Sequence, residues 1–340
     1  MKGTLALRRI VLCIVALLAV APGAMAQAPT PTQPAPPPPP APPPPPPPAP
    51  EPVPANISVT IPGGLHMKGR AYTVPRDRLR INGRMNRAAA GETVTIELLA
   101  AGKRRQRVRA KVGKRGRFHA FVRPRTARRW RVRAVHRKSD SVAAGTSKPV
   151  GFTAVRPRAG RGRGGPGVLL LQRGLAKLGY AVPKSGHFDD ATGRAVLAYR
   201  KVNRMSRTAR ANWTIFHRVF RGRGAYKLRY PSAGKHVEAD LSRQVLVLAQ
   251  NGKPFRVYHT SSGSPATPTV RGSYRFYRKG PGYNALGMYY SSYFIRGYAI
   301  HGYHTVPTYN ASHGCLRVPL ANAVSIYNWI SLGDRIYVYG

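Results

Sequence analysis

The chain has 340 residues, with 57 Lys+Arg against 10 Asp+Glu, and a formal net charge of +47. At roughly 150 residues per domain the length allows two or three compact domains, and a 42% hydrophobic content excludes wholesale disorder. Two cysteines exclude a disulfide scaffold. So few carboxylates leave little for paired-carboxylate hydrolysis or calcium cages, and the charge calls for a polyanionic neighbour: nucleic acid, an anionic wall polymer or a membrane surface.

Lys2, Arg8 and Arg9 precede an apolar run, Ile10 to Ala21, about half the length that spans a bilayer. Ala24-Met25-Ala26 then offers small residues before Gln27. This pattern predicts a secretory signal peptide over residues 1–26, with an uncleaved anchor or a buried helix as the alternative. Export is expected, with no transmembrane helix after cleavage and no nucleic acid as the natural partner. Cleavage leaves Cys315 as the single cysteine: an accident, an intermolecular link or a reactive group.

Residues 27–54 are almost pure Pro and Ala and read as an extended Pro-rich linker. Residues 55–156 read as an all-β, strongly basic domain, with an immunoglobulin-like sandwich as the expected architecture. Ile57, Val59 and Ile61 alternate, as do Val94, Ile96 and Leu98, the stretch Val108 to Val112, and Trp130 to Val135. Between Ala101 and Asp140 stand 17 Lys+Arg and one acid. They form either a solvated face or a surface for anionic wall polymers. Phe118, Phe121 and Trp130 are too sparse for a base-stacking platform.

Residues 157–228 change period. Pro157 to Gly165 reads as a Gly/Arg linker. Val168, Leu171, Leu175 and Leu178 then recur at helical spacing, with Gly179 as the natural end. A second helix is expected with Ala191, Ala195, Val196 and Tyr199 inward and Asp190 or Thr192 as its cap, and a third over Asn212 to Phe220. The stretch resembles the bacterial peptidoglycan-binding domain of the three-helix type. The residues that carry the likeness are Gln172, Leu175, Leu178-Gly179-Tyr180, Gly186-His187-Phe188-Asp189-Asp190-Ala191-Thr192, Ala195-Val196 and Tyr199. It departs at Tyr199-Arg200, where an aromatic followed by Gln is usual. The resemblance implies affinity for wall glycopeptide.

Residues 232–340 read mainly as strand. Asn251-Gly252 signals a hairpin. One helix is expected over Pro319 to Ile330 with Leu320, Val324, Tyr327 and Ile330 inward, and Gly333-Asp334 turns into a last strand, Arg335 to Tyr339. The informative segments are Ile300-His301-Gly302-Tyr303 and Ser312-His313-Gly314-Cys315-Leu316-Arg317. Three readings compete: satisfied core residues, a zinc site of His301, His304, His313 and Cys315, or cysteine acyl transfer. The last needs the sulfur as thiolate, a base and positive field beside it, and a glycine that lets backbone amides approach.

These segments resemble the catalytic domain of L,D-transpeptidases of the YkuD type. The likeness runs from about His236 to Gly340 and takes in Val237 to Ser242, Thr267-Pro268-Thr269 and Gly333-Asp334. Two departures are visible: Val270 and Arg271 stand before Gly272, where Gly usually follows directly, and the interval from His301 to Cys315 is short. The resemblance implies Cys315 as nucleophile, His301 as general base, and Gly302, His313 and Gly314 as orienting or oxyanion-holding groups. Ser312, Arg317, Tyr283 and Tyr289 are implied as substrate contacts, beside Tyr290 and Tyr293. It implies peptidoglycan stem peptides as partners in the bacterial wall, 3→3 cross-links as product, and carbapenem-type β-lactams as covalent inhibitors. No cofactor and no metal is called for.

Overall fold

A computed structural model describes residues 49–340. The expected signal peptide and all but the end of the Pro-rich linker lie outside the described residues.

Alternation in the basic region produces strands whose even and odd residues part company. Trp130, Val132 and Ala134 are buried while Arg129 and Arg131 are exposed, as period-two burial requires. The strands are β1 (Ser58–Thr60), β2 (Leu65–Met67), β3 (Arg70–Thr73), β4 (Leu79–Arg84), β5 (Thr93–Ala100), β6 (Lys103–Lys111), β7 (Arg117–Val122), β8 (Arg129–His136), β9 (Gly145–Thr146) and β10 (Val150–Ala154). They form a three-stranded sheet, β1-β4-β7, and a larger one in the order β2-β3-β10-β8-β5-β6 with β9 on β8. Val59, Ile81, Ile96, Phe118, Val132 and Phe152 share one core.

Three helices follow: α1 (Pro166–Lys177), α2 (Asp190–Val202) and α3 (Trp213–Phe220). Gly179 closes the first with φ of +88°, a conformation open to glycine. The cap of α2 is Asp189, whose side chain accepts from the Thr192 amide at 2.8 Å; the helix starts one residue earlier in the motif than the sequence reading placed it. Asn212 caps α3 in the same way. Pro157 to Gly165 is not a free linker, because Ala159 and Ala211 exchange two backbone hydrogen bonds and Gly165 donates to Gly186 O.

The last region holds β11 (His236–Asp240), β12 (Val245–Gln250), β13 (Lys253–His259), β14 (Gly272–Arg275), β15 (Arg278–Tyr283), β16 (Tyr289–Ile295), β17 (Tyr298–Tyr303), β18 (Leu316–Pro319), α4 (Leu320–Trp329) and β19 (Arg335–Tyr339). They make two sheets, β13-β12-β11-β19-β14 and β15-β16-β17-β18. Val237, Leu246, Phe276, Ile300, Leu316, Ile326 and Ile336 fill the space between. The expected inner face of α4 is corrected: Ala323, Ile326 and Ile330 are buried, while Val324 is exposed. Small Ala323 faces the strand because Gly302 leaves room only for it.

The helical module and this mainly-β domain share apolar packing. Val245, Val247, Ala249 and Val257 pack in one cluster with Leu171, Leu175, Tyr199 and Phe216. Tyr180 and Ala181 also continue the ladder of β13, where Val257 donates to Gly179 O and Ala181 donates to Val257 O. An otherwise open sheet edge is thereby covered.

Candidate active site

β17 and β18 run parallel with Ile300 opposite Leu316 and His301 opposite Arg317. Ile300 points into the main core. Ala299 and His301 therefore leave the other face of the strand. Cys315, one residue ahead of β18, packs against Ala299, Met288 and Tyr293 on that same face. Thiol and imidazole thus belong to one side of one sheet.

His301 is 3% exposed. Its Nδ1 lies 2.9 Å from Gly302 O. A carbonyl can only accept, so Nδ1 donates and the neutral ring presents a bare Nε2. Burial, with Arg317 adding to it, draws the His301 pKa down to about 4. Burial pushes the Cys315 thiol up. Both groups are consequently neutral near pH 7. The sequence reading expects a standing thiolate, and the desolvation of this corner works against it.

The turn 312–315 is held from within and from behind. Ser312 Oγ donates to Cys315 O at 2.6 Å and accepts from the Gly314 amide at 3.1 Å. Gly314 is therefore not a free amide donor, while the amides of His313 and Cys315 carry no such bond among the described residues. Gly314 has φ of +110°, and a Cβ there would lie 2.2 Å from the Tyr298 ring. Behind the turn, Thr269 Oγ1 donates to Gly314 O at 2.7 Å and accepts from the Gly263 amide at 2.8 Å. Thr267 Oγ1 donates to Ser312 O. The Thr267-Pro268-Thr269 segment, noticed in the sequence only as a likeness, is thus the bracket of the turn.

Arg317 sits beside His301, its guanidinium 4.1 Å over the Tyr303 ring and its backbone paired with Ser261. Tyr289 lies across from Gly302 and packs on Tyr283 at 4.5 Å, but Tyr283 itself is 64% exposed. Tyr293, buried, belongs to the small cluster against which Cys315 packs. Tyr290 turns toward Tyr327. His313 and His304 are exposed. No group of three His, Cys, Asp or Glu that could hold a metal occurs among the described residues, so His301, His304, His313 and Cys315 do not form the alternative zinc set. The acids of this domain serve the frame: Glu238 accepts from the Arg229 and Tyr230 amides, Asp240 pairs with Arg243, and Asp334 pairs with Lys235. Arg271 lines a groove with Arg207, Ser264, Thr269 and Asn310 beside the turn.

Comparison with known families finds the L,D-transpeptidase catalytic domain (YkuD) over residues 234–338 and a putative peptidoglycan binding domain over residues 164–212. Among solved structures, an L,D-transpeptidase from Xylanimonas cellulosilytica is 32% identical, with 54% of this chain and 98% of that chain covered and a TM-score of 0.51. One from Stackebrandtia nassauensis is 20% identical over 54% of this chain and 96% of that chain, TM-score 0.35. The E. faecium catalytic domain acylated by ertapenem is 23% identical over 31% and 97%, TM-score 0.27. No curated protein matches. No described helix is long and apolar enough to cross a membrane.

Proposed function

The chain belongs to the L,D-transpeptidase family, and from that premise we propose that it joins peptidoglycan stem peptides through a thioester on Cys315. The observation that carries this reading is the shared sheet face of Cys315 and His301, with Nδ1 tied to Gly302 O and Nε2 left bare.

The Cys315 sulfur attacks the carbonyl carbon of the L,D peptide bond in a stem tetrapeptide as its proton passes to His301 Nε2. The amides of His313 and Cys315 are the donors for the oxyanion. When the tetrahedral adduct collapses, the imidazolium returns its proton to the departing D-alanine amine, and the acyl group remains as a thioester. A side-chain amine of a neighbouring stem, diaminopimelate in the family's usual chemistry, then attacks the thioester and gives a 3→3 cross-link. The broken peptide bond supplies the energy. Water in place of that amine makes the enzyme an L,D-carboxypeptidase. Ser312 supports the turn, Arg317 is a contact for a substrate carboxylate, and Tyr289 and Tyr283 form a wall of the substrate channel. The same thiol is the point where a carbapenem-type β-lactam would acylate.

Residues 1–26 act as a signal peptide, so the work is done in the cell wall or the space outside the membrane. The basic domain, read as an immunoglobulin-like sandwich, and the helical module adhere to wall polymers and raise the local substrate concentration. Incubation with a stem tetrapeptide followed by intact mass measurement tests the core of this. An adduct lost in Cys315→Ala supports it; no adduct on the intact protein, with wall binding retained, makes it a wall-binding protein without acyl transfer. Cross-linked dimer against free tripeptide separates the two acceptors.

A further inference from the structure

The basic domain and the helical module meet along a groove of about 1110 Å³. Seven arginines line it, Arg161 and Arg128, Arg129, Arg156, Arg158, Arg163 and Arg210, with no lysine, no acid and no aromatic ring among the lining residues. All seven are exposed. Arg161 reaches Asp190 at 3.1 Å. The side chains of the other six have no ion pair or hydrogen bond among the described residues. Five carboxylates are held elsewhere: Asp77 by His217 and Arg221, Glu92 by His136, Glu97 by Arg104 and Arg133, Asp240 by Arg243 and Asp334 by Lys235.

This crowd of like charge is fixed by the fold. Ala159 and Ala211 are bonded to each other across the groove, Ala154 donates to Arg128 O, and Phe188 donates to Arg163 O. The chain that carries the arginines is pinned on both sides, so the positive field exists before any ligand arrives. The groove also meets the first turn of α1, where Gly165 offers no side-chain cap and the helix end adds partial positive charge. Guanidinium forks suit tetrahedral oxyanions. Seven of them in one groove suit a chain that repeats its charge better than one small ion. The lack of aromatic rings gives nucleobases nothing to stack on.

We propose that this groove binds a linear polymer carrying one phosphodiester per repeat. The assignment locates the wall-anchoring half of the reading above and rests on it. It is separate from acyl transfer, because the Cys315 adduct is measured independently and either can fail alone.

The test uses the full chain and a synthetic poly(glycerol phosphate), with binding followed as a function of salt. The variants are Arg156→Ser/Arg158→Ser/Arg210→Ser and a control of equal charge change on exposed residues outside the groove, Arg105→Ser/Arg109→Ser/Arg137→Ser. The groove triple is expected to lose at least tenfold in affinity and to lower the slope of log affinity against log salt by about 2, since each phosphate contact adds about 0.7–0.9 to it. The control should change little. Adduct formation at Cys315 and thermal stability should hold in both. Equal losses in the two triples, or unchanged binding in the groove triple, would overturn the proposal. So would a single-stranded oligonucleotide that binds more tightly than the polymer at equal phosphate.

Discussion

Lys201 Nζ lies 2.8 Å from His259 Nδ1. The lysine belongs to helix α2 of the peptidoglycan-binding module and is 2% exposed; the histidine ends strand β13 of the catalytic domain. Two carbonyls, Gln244 O at 3.1 Å and Thr260 O at 2.9 Å, complete its surroundings. His259 Nε2 donates to Val306 O, so Nδ1 is an acceptor. Val306 stands in the loop that separates His301 from Cys315. One buried nitrogen therefore ties the module to the loop between His301 and Cys315, and Arg207 adds a second tie by donating to Thr308 O.

Lys201→Met should loosen that loop without touching the reacting groups. It leaves buried acceptors without a donor, a loss on the order of 1–3 kcal/mol. Hydrogen exchange over residues 304–311 should speed up and the acylation rate should fall, while the thiol itself stays reactive to small alkylating agents. The pH dependence is a sharper check. Burial draws the Lys201 pKa down to about 6, far below its unfolded value. Between the two values the unfolded chain binds more protons, so stability rises with pH from about 6 upward and is lost as pH falls back through 6. Lys201→Met lacks this titration. A constant stability difference between the two proteins from pH 6 to pH 9 would count against the assignment.

Much of this arrangement is legible in sequence because it is local. Trp130 to Val135 alternate and become β8; Leu171 and Leu175 recur every four residues and become the buried face of α1. His301-Gly302 and Ser312 to Cys315 are each short contiguous motifs, one in β17 and one in the polar turn before β18, and each can be read as part of a site. Lys201 is different. Nothing in the helical period marks it as buried, because its burial depends on where β13 happens to pack. Thr269 is equally hidden: its hydroxyl acts on a glycine 45 residues away. The neutral state of the thiol and imidazole also escapes a sequence reading, since desolvation is a property of the assembled sheet rather than of neighbouring residues.

The rate of Cys315 acylation by a tetrapeptide or a carbapenem should follow a neutral pair. His301 must be unprotonated to accept the proton, and its pKa is drawn to about 4. Activity should therefore vanish as pH falls through about 4 and stay level across neutrality. Iodoacetamide, which needs thiolate, should react slowly near pH 7 and faster up to and beyond the ordinary thiol range, because burial raises the Cys315 pKa. His301→Gln should lower acylation by about 10²–10⁴, the usual share of a general base. An alkylation plateau already reached at neutral pH would show a standing thiolate and sink this prediction.

Gly314→Ala meets two obstacles. The φ of +110° is outside the range that a residue with a Cβ adopts, and the new methyl would sit 2.2 Å from Tyr298. Loss of the adduct is expected, along with lower stability. Adding Tyr298→Ala removes the second obstacle but not the first, so the double variant should fold better without regaining acylation. Full activity in the double variant would reduce the glycine to a packing requirement.

Thr269→Val keeps volume and removes a hydroxyl that bridges the Gly263 amide and Gly314 O. Two buried polar groups then lack partners, at about 1–3 kcal/mol each. Because both groups belong to the segments that clamp the turn of residues 312–315, the larger effect should fall on acylation, by about tenfold or more, with affinity for the stem peptide little changed. Thr269→Ser preserves the hydroxyl and should restore the rate. If the serine variant is as slow as the valine variant, the methyl group rather than the bridge supports the turn, and the bracket formed by Thr267-Pro268-Thr269 acts by shape instead of hydrogen bonding.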